Sequence, residues 1–440
     1  MQQLAASFPA PAATDSHMAC LRRRAAGRLA AHARRACSCG ERVAVVSVTI
    51  ENLDALAATI GTRATELLVS ELASSMALLA GGTGEIMDGN AGELLLVQPL
   101  LGGLAEARAL AHRLSLLTDG PVPVAGRVAL VRSRVGVAIL PDDGADADAL
   151  LRHARIASRH ADCDPRRQPQ FFLPEMNERL IAEQVMAQDL RQSLDEGGLE
   201  LAYQPQLDLA RDRLFAAEAL LRWRHPQRGP VPPVEFVPVA ERNGLIDRLG
   251  RWVLREACHT GAVWRRRGID LRMAVNLSPA QLSYAEIVEE VQEALGRSGL
   301  PAQALVLEVT ESVMMQDIDM ASRSLERLRR QGIAISLDDF GSGHSGIGYL
   351  RELPLDQLKI DRSLVRDLDE GEAGVSLAGA VVAMARSLDL QVLAEGVETP
   401  SQLAQARRLG CDAAQGYLIG RPTSAAALGE RFAGRGQNWK

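Results

Sequence analysis

The chain has 440 residues, 47% of them hydrophobic and only 3% aromatic, and a formal net charge of -6. That length suits two or three domains, with cores built mainly on Ala, Leu and Val. An acidic body argues against wholesale binding to duplex nucleic acid, but a small anion held through metals stays compatible.

The charge is uneven. Residues 1–40 carry six Arg and one Asp (+5), residues 41–165 ten Arg and sixteen acids (-6), leaving -5 for the remainder. The Ala/Arg-rich stretch at 21–35 reads as a solvated basic tail, or else as a basic helix that meets a membrane surface or a protein partner. No separate sensor domain is expected within it. No uncharged apolar run reaches the ~20 residues that span a bilayer, and with no basic region before an apolar one a secretory leader is not expected. Of the cysteines, Cys37 and Cys39 form a C-x-C with no second pair to complete a zinc site, while Cys20, Cys163, Cys258 and Cys411 are scattered. A reduced, cytoplasmic protein with free thiols is expected.

Residues 41–165 read as one α/β domain. Strands are expected at 42–50, 92–100 and 127–140, with helices over 53–81, 106–117 and 146–161. Three prolines and paired charges over 161–175 mark a linker, and a helix of about 176–195 follows. The expected boundaries are a linker and the start of that helix at 166–184, a second domain at 185–430 and a C-terminal tail at 431–440.

From residue 199 the pattern becomes regular. Eight short apolar runs occur in order: LELAYQP, FAAEALLRW, LRMAVNLS, ALVLEVTE, AISLDDF, LDQLKID, QVLAEGVE and CDAAQGYLIG. Helical segments separate most of them. One places Leu249, Trp252 and Val253 on a single face, and another ends on Gly332 as a C-cap. Gln204 and Glu218 are too close in sequence for an intervening helix, so the first two strands should form a hairpin. Eight mostly parallel strands with polar C-terminal ends argue for a β/α barrel with its site on the C-terminal rim.

The strand-end residues are Gln204, Glu218, Arg222, Asn276, Glu308, Asp338, Asp339, Lys359, Asp361, Glu395 and Gln415. Five carboxylates converging on one rim would repel one another and drive some pKa values upward. Hard divalent cations resolve that conflict. Carboxylates plus one Asn carbonyl, with no His or Cys, point to Mg²⁺ or Mn²⁺, and the adjacent aspartates suit two ions bridged by Asp338. Such a pair, about 3.5–4 Å apart, suits phosphate-ester hydrolysis. Arg222 can fork onto a phosphate. Glu395 can serve as ligand and general base. Lys359 is the only lysine before Lys440 in a chain with 47 arginines, which suggests a role for a compact ammonium: holding the nucleophilic water and a non-bridging oxygen. Singly, each residue has an ordinary reading: a turn, a helix cap, a satisfied loop amide. The set at consecutive strand ends is what carries the signal.

A G-x-G-x-x-G pattern at 341–346, with Asp361 twenty residues on, mimics a dinucleotide fingerprint. Twin aspartates would repel a pyrophosphate there, and Pro354 leaves little room for the required helix. The glycines are read instead as a loop that positions the aspartates.

YQP, EALLRW, NLS, LEVTES, DDFGSGHS, LKIDRS, AEGVE and QGYLIGRP follow one another in order. Over roughly 185–430 the chain therefore resembles an EAL domain. The resemblance implies a modified (β/α)8 TIM-like barrel with one antiparallel strand and hydrolysis of cyclic di-GMP to linear pGpG with Mg²⁺ or Mn²⁺. It maps the metal ligands onto Glu218, Asn276, Glu308, Asp338, Asp339 and Glu395, the lysine onto Lys359 and the glutamines onto Gln204 and Gln415. Glu311 and Glu398 match supporting acids, with Gly341 and Gly343 in the loop. It also implies a homodimer through the barrel. Departures are confined to the loop, at Ser342, His344 and Gly346, and to Leu364, where Phe is usual.

Residues 41–165 resemble a degenerate GGDEF domain. Asn90-Ala91-Gly92-Glu93-Leu94 replaces the namesake motif, and Thr49 stands where a metal aspartate is expected. Ala57-Ala58 replaces the nucleotide-contacting pair, and Gly81 and Gly84 replace the inhibition site. Without carboxylates to hold Mg²⁺, no cyclase chemistry is expected. A regulatory or partner-binding role is implied instead. The competing reading for the whole chain is a cyclic di-GMP receptor or scaffold that binds without hydrolysis; the complete acid set argues against it.

Overall fold

The computed structural model describes residues 42–89, 92–161, 168–282, 286–311, 318–341, 350–369, 372–435 and 439. The expectations for the basic segment 1–40, for Cys20, Cys37, Cys39 and Cys163, for Asn90 and Ala91, and for Ser342, Gly343, His344 and Gly346 lie outside these. The chain divides into two compact units, Met1–Glu183 and Gln184–Lys440. No helix among the described residues is long and apolar enough to cross a membrane.

The strands of the first unit are β1 (Arg42–Ile50), β2 (Glu85–Asp88), β3 (Glu93–Leu100), β4 (Gly120–Val124), β5 (Arg127–Val131), β6 (Ser133–Leu140) and β7 (Gln170–Phe171). Five of them form one sheet in the order β2-β3-β1-β6-β7, and β4 and β5 form a separate hairpin. The central β1, RVAVVSVTI, is covered on both faces, as its continuous apolar run requires. Three expectations change. The long helix over 53–81 is broken by Gly61, at φ +89°, into Leu53–Ile60 and Thr62–Leu79. The run at 127–140 is two strands, because its first half pairs with β4 and only its second half joins the main sheet. The expected linker supplies β7, which pairs in parallel with β6. Sequence gave little warning of β2, which is short and acidic, or of β4, which holds Pro121 and Pro123.

The strands of the second unit are β8 (Leu199–Asp208), β9 (Arg213–His225), β10 (Gly229–Val231), β11 (Arg272–Leu277), β12 (Leu305–Thr310), β13 (Ala334–Phe340), β14 (Gln357–Ile360), β15 (Gln391–Ala394) and β16 (Ala413–Gln415). β9 and β11 to β16 run parallel in chain order. β8 is antiparallel to both β9 and β16 and closes the sheet into an eight-stranded barrel. The expected hairpin is present, and Gln204 lies directly opposite Glu218. The additional β10 pairs with the end of β9 outside the barrel.

One continuous apolar cluster fills the space between barrel and helices. The helix Ile246–Arg266 contributes Leu249, Val253, Leu254 and Ala257 to buried positions, following its 3.6-residue periodicity. The helix Pro174–Glu196 grips the end of β9. The indole of Trp223 donates to the Ser193 hydroxyl (2.9 Å), and His225 Nε2 meets Asp189 Oδ2 (3.0 Å). Cys258 and Cys411 are free and buried, and burial pushes both thiols up to about 12, which leaves them unreactive.

Gly136 in β6 packs against the helix Ala147–His160 so closely that a methyl group there would meet the backbone of Ala154 and Ser158. Gly136→Ala is therefore expected to cost roughly 1–3 kcal/mol. Hydrogen exchange should show lost protection in β6 and that helix with barrel protection unchanged. Equal loss in the barrel would refute the assignment.

Candidate active site

The C-terminal ends of the barrel strands bring the acids together around one cation. Lys359, in the middle of β14, is fully buried. Its Nζ lies 2.6 Å from Glu395, 2.8 Å from Glu308, 3.1 Å from Asp338 and 3.9 Å from Glu218. Two carboxylate groups form around it: Glu218, Glu308 and Asp338, and Asp338, Asp339 and Glu395. Within each group the oxygens lie within 4.8 Å of one another, and Asp338 belongs to both.

Neighbouring residues on a regular strand point to opposite faces, so adjacent aspartates should not both reach one rim. A break in the β13–β14 register resolves this. Leu337 pairs with Leu358 and Phe340 with Ile360, so Asp338 and Asp339 together span the place opposite Lys359. Asp339 takes φ +56°, a left-handed conformation that costs energy for a non-glycine residue. Its amide donates to Asp338 Oδ1 (2.9 Å).

Amides hold Glu218 from both sides. Asn276 Nδ2 donates to its Oε1 (2.7 Å) and Gln415 Nε2 to its Oε2 (2.6 Å). Gln415 Nε2 also reaches Gln204 Oε1 (3.2 Å), while Gln204 Nε2 donates to the Gly420 carbonyl (3.1 Å). Gln206, missed in the sequence reading, donates to Gln415 Oε1 (2.8 Å) and fixes that amide's orientation. Its signal was the period-two spacing from Gln204, which puts both side chains on the barrel's inner face.

Five carboxylates less one ammonium leave a charge of -4 if all are ionised, the charge that two divalent cations would cancel. Without cations the cluster must hold protons. Burial, reinforced by Glu218 and Asp338, raises Glu308 well above the usual carboxylate range despite Lys359. Burial likewise lifts Glu395 to about 8, with Lys359 opposing and Asp338 and Glu218 adding to the rise. Burial and the neighbouring Asp338 and Asp361 raise Asp339. Glu218 goes the other way: burial pushes it up, but Lys359 and the amides of Gln415 and Asn276 outweigh that and hold it low. Burial also opposes the charge on Lys359, yet the surrounding acids raise its pKa well above the ordinary lysine value. Lys359 is thus a permanent ammonium. Glu308 Oε1 is buried with no hydrogen-bond partner, and an all-oxygen donor set with one unsatisfied oxygen fits a hard cation.

The other residues singled out from the sequence are placed less centrally. Arg222 lies on β9 beyond Glu218, and its guanidinium donates to the Leu221 carbonyl (2.8 Å). Asp361 caps the helix Arg362–Arg366 by accepting from the Ser363 amide (2.9 Å). Glu311 follows β12 and has a buried, unpartnered Oε1. Glu398 is exposed, with its amide bonded to Gln402. Gly341, at φ +101°, ends β13 against Leu364.

The fold and rim together define a closed β/α barrel with one antiparallel strand and paired carboxylate groups at its C-terminal end. The EAL domain family matches residues 187–422, just over half of the chain, and the chain belongs to that family. It is 44% identical over 326 residues to the cyclic di-GMP phosphodiesterase NbdA of Pseudomonas aeruginosa, covering 74% of this chain and 42% of that protein. It is 40% identical over 325 residues to the bifunctional diguanylate cyclase/cyclic di-GMP phosphodiesterase MucR of the same species, covering 74% and 47%. The chain thus spans about half the length of the curated relatives it matches. Among solved structures, PaMucR phosphodiesterase in complex with c-di-GMP is 44% identical with a TM-score of 0.53, covering 56% of this chain and 99% of that one. The FimX EAL domain from Pseudomonas aeruginosa bound to c-di-GMP is 26% identical with a TM-score of 0.51, covering 54% and 96%.

A cation that ligates Glu395 must displace its proton below about pH 8. Apparent Mn²⁺ affinity should therefore rise by up to roughly tenfold per pH unit for each proton released, and level off above about pH 8. Calorimetric titrations across this range check it; an affinity independent of pH would contradict the assignment of Glu395 as a ligand.

Proposed function

We propose that this chain hydrolyses cyclic di-GMP to linear pGpG with Mg²⁺ or Mn²⁺ held by Glu218, Asn276, Glu308, Asp338, Asp339 and Glu395. The observation that carries the reading is the buried Lys359 at the junction of two carboxylate groups that share Asp338. A receptor gains nothing from keeping so much mutual repulsion in its site. Two bound divalent cations would supply Lewis acidity toward the phosphate and make an attacking water more acidic.

The chain's own side chains divide the remaining work. Lys359, permanently charged, holds the attacking water and a non-bridging phosphate oxygen through its compact ammonium. It cannot serve as the base, because it does not release its proton near neutral pH. Glu395 can, because a bound cation displaces its proton and leaves it an ionised carboxylate. Arg222 offers a fork to the second phosphate, and Gln204, Gln415 and Asp361 line the substrate's approach. Glu311 and Glu398 support the loop that carries Gly341 and Gly343. Two such barrels pair into a homodimer near that loop, to be tested by light scattering.

The first unit reads as a GGDEF-like domain without cyclase activity, with a regulatory or partner-binding role. Glu93, the acid that survives from its motif, is bound in a two-pronged ion pair to Arg155 and accepts from Ser47 (2.9 Å). That acid supports the fold and is not free to hold Mg²⁺. Among the described residues, both clusters able to hold a metal belong to the barrel.

Purified protein with cyclic di-GMP and Mg²⁺ or Mn²⁺ should yield pGpG by chromatography, and Glu218→Ala should abolish it. Lys359→Ala should lower kcat by at least roughly a hundredfold while sparing most of the substrate affinity. Binding without product would replace the enzyme by a receptor, and unchanged turnover in Lys359→Ala would remove that residue from the mechanism. With GTP alone no cyclic di-GMP should form; its formation would overturn the reading of the first unit.

A further inference from the structure

The opposite end of the barrel has a second feature that the acid rim does not use. The N-terminal mouth of a β/α barrel is ordinarily plugged by bulky branched side chains. Here Ala304 and Ala413 stand at that level, and a cavity of about 960 Å³ opens between the strand starts. Six arginines and three aspartates line it, a surplus of three positive charges in a chain of net charge -6.

Four of the six arginines are accounted for. Arg211 pairs with Asp208, Arg265 with Asp270 and Arg407 with Asp212, while Arg386 donates to the Gly410 carbonyl. Arg265, Arg386 and Arg407 also sit in the last turns of helices, where a cation complements the helix dipole. Arg213 and Arg272 have no such explanation. They begin the adjacent strands β9 and β11, and neither has a carboxylate partner among the described residues.

Backbone geometry directs both toward the mouth. Arg272 shares strand parity with Asn276, which faces the barrel interior at the other end. Arg213 would point outward by simple alternation from Glu218. The register shift between Gln206 and Leu207 skips Phe215, so that Arg213 pairs with Asp208 and shares its inward face. Deeper in the cavity, the buried Gln357 accepts from Ser336 through Oε1 (3.1 Å), leaving its amide N–H groups without a described protein acceptor.

We infer that the N-terminal mouth of the barrel binds a phosphorylated small molecule, through the guanidinium forks of Arg213 and Arg272 and the amide of Gln357. Two free planar forks suit phosphate or pyrophosphate oxygens, and the cavity has room for a molecule of nucleotide size. The site is independent of the acid rim. It does not require that the rim hydrolyse cyclic di-GMP.

Isothermal titration of metal-free protein in EDTA with inorganic pyrophosphate tests this, since without metal the acid rim repels such an anion. One saturable site per chain is expected. Arg213→Gln/Arg272→Gln should weaken binding by roughly tenfold or more. Glu218→Ala should bind as the parent does. Both arginines are exposed and have no carboxylate partner among the described residues, so the double variant should keep its circular dichroism and melting temperature; should it misfold, Arg272→Gln alone carries the same reading. Absence of saturable binding, unchanged binding in the Gln variant, or loss in Glu218→Ala would each overturn the inference. Citrate binding as tightly as pyrophosphate would overturn the choice of phosphate.

Discussion

The barrel's rim depends on one buried ammonium. Removing an unpaired lysine from water costs several kcal/mol, and clustering five carboxylates is no cheaper. Each makes the other tolerable: Lys359 lies within 4 Å of four acids, and they raise its pKa although burial opposes its charge. The compensation is incomplete. One positive charge cannot balance five negative ones, and the raised pKa values of Glu308, Asp339 and Glu395 record the remainder. A site left in electrostatic deficit has a built-in affinity for hard cations.

Two departures from regular β structure make the arrangement possible. The register break between β13 and β14 lets consecutive aspartates share a rim, at the cost of a left-handed Asp339. The reversal of β8 sets Gln204 against Glu218 and Gln206 beside Gln415, so that a chain of amides fixes the first acid. A uniformly parallel barrel would place a crossover helix between these two strands and lose that pairing. The second register shift, at the other end of β9, turns Arg213 into the opposite mouth. In both places a change in strand register decides which side chains meet.

The two units use their buried acids differently. In the first, Glu93 is matched by Arg155, a one-to-one pairing that satisfies both groups and leaves nothing for a ligand. In the second, the acids around Lys359 outnumber it and Glu308 Oε1 is left without a partner. The excess of charge over compensation separates a structural ion pair from a site.

The eight apolar runs with polar ends, the hairpin required by the short span from Gln204 to Glu218, and the acids that converge on one rim were all legible in the sequence. These follow from local periodicity and chain length, which tertiary packing does not alter. The break at Gly61, the division of 127–140 into two strands and the addition of β7 were not legible, because each depends on which neighbour a segment pairs with. Gln206 went unremarked for a related reason: its importance comes from Gln415, more than 200 residues away. Sequence supplied the identity of the carboxylates and the solitary lysine. Only the closed barrel decided that Lys359 would be buried among them and that Arg222 would stand apart. Distances of a few ångströms between strand ends arise from closure and register, which no local stretch of chain encodes alone.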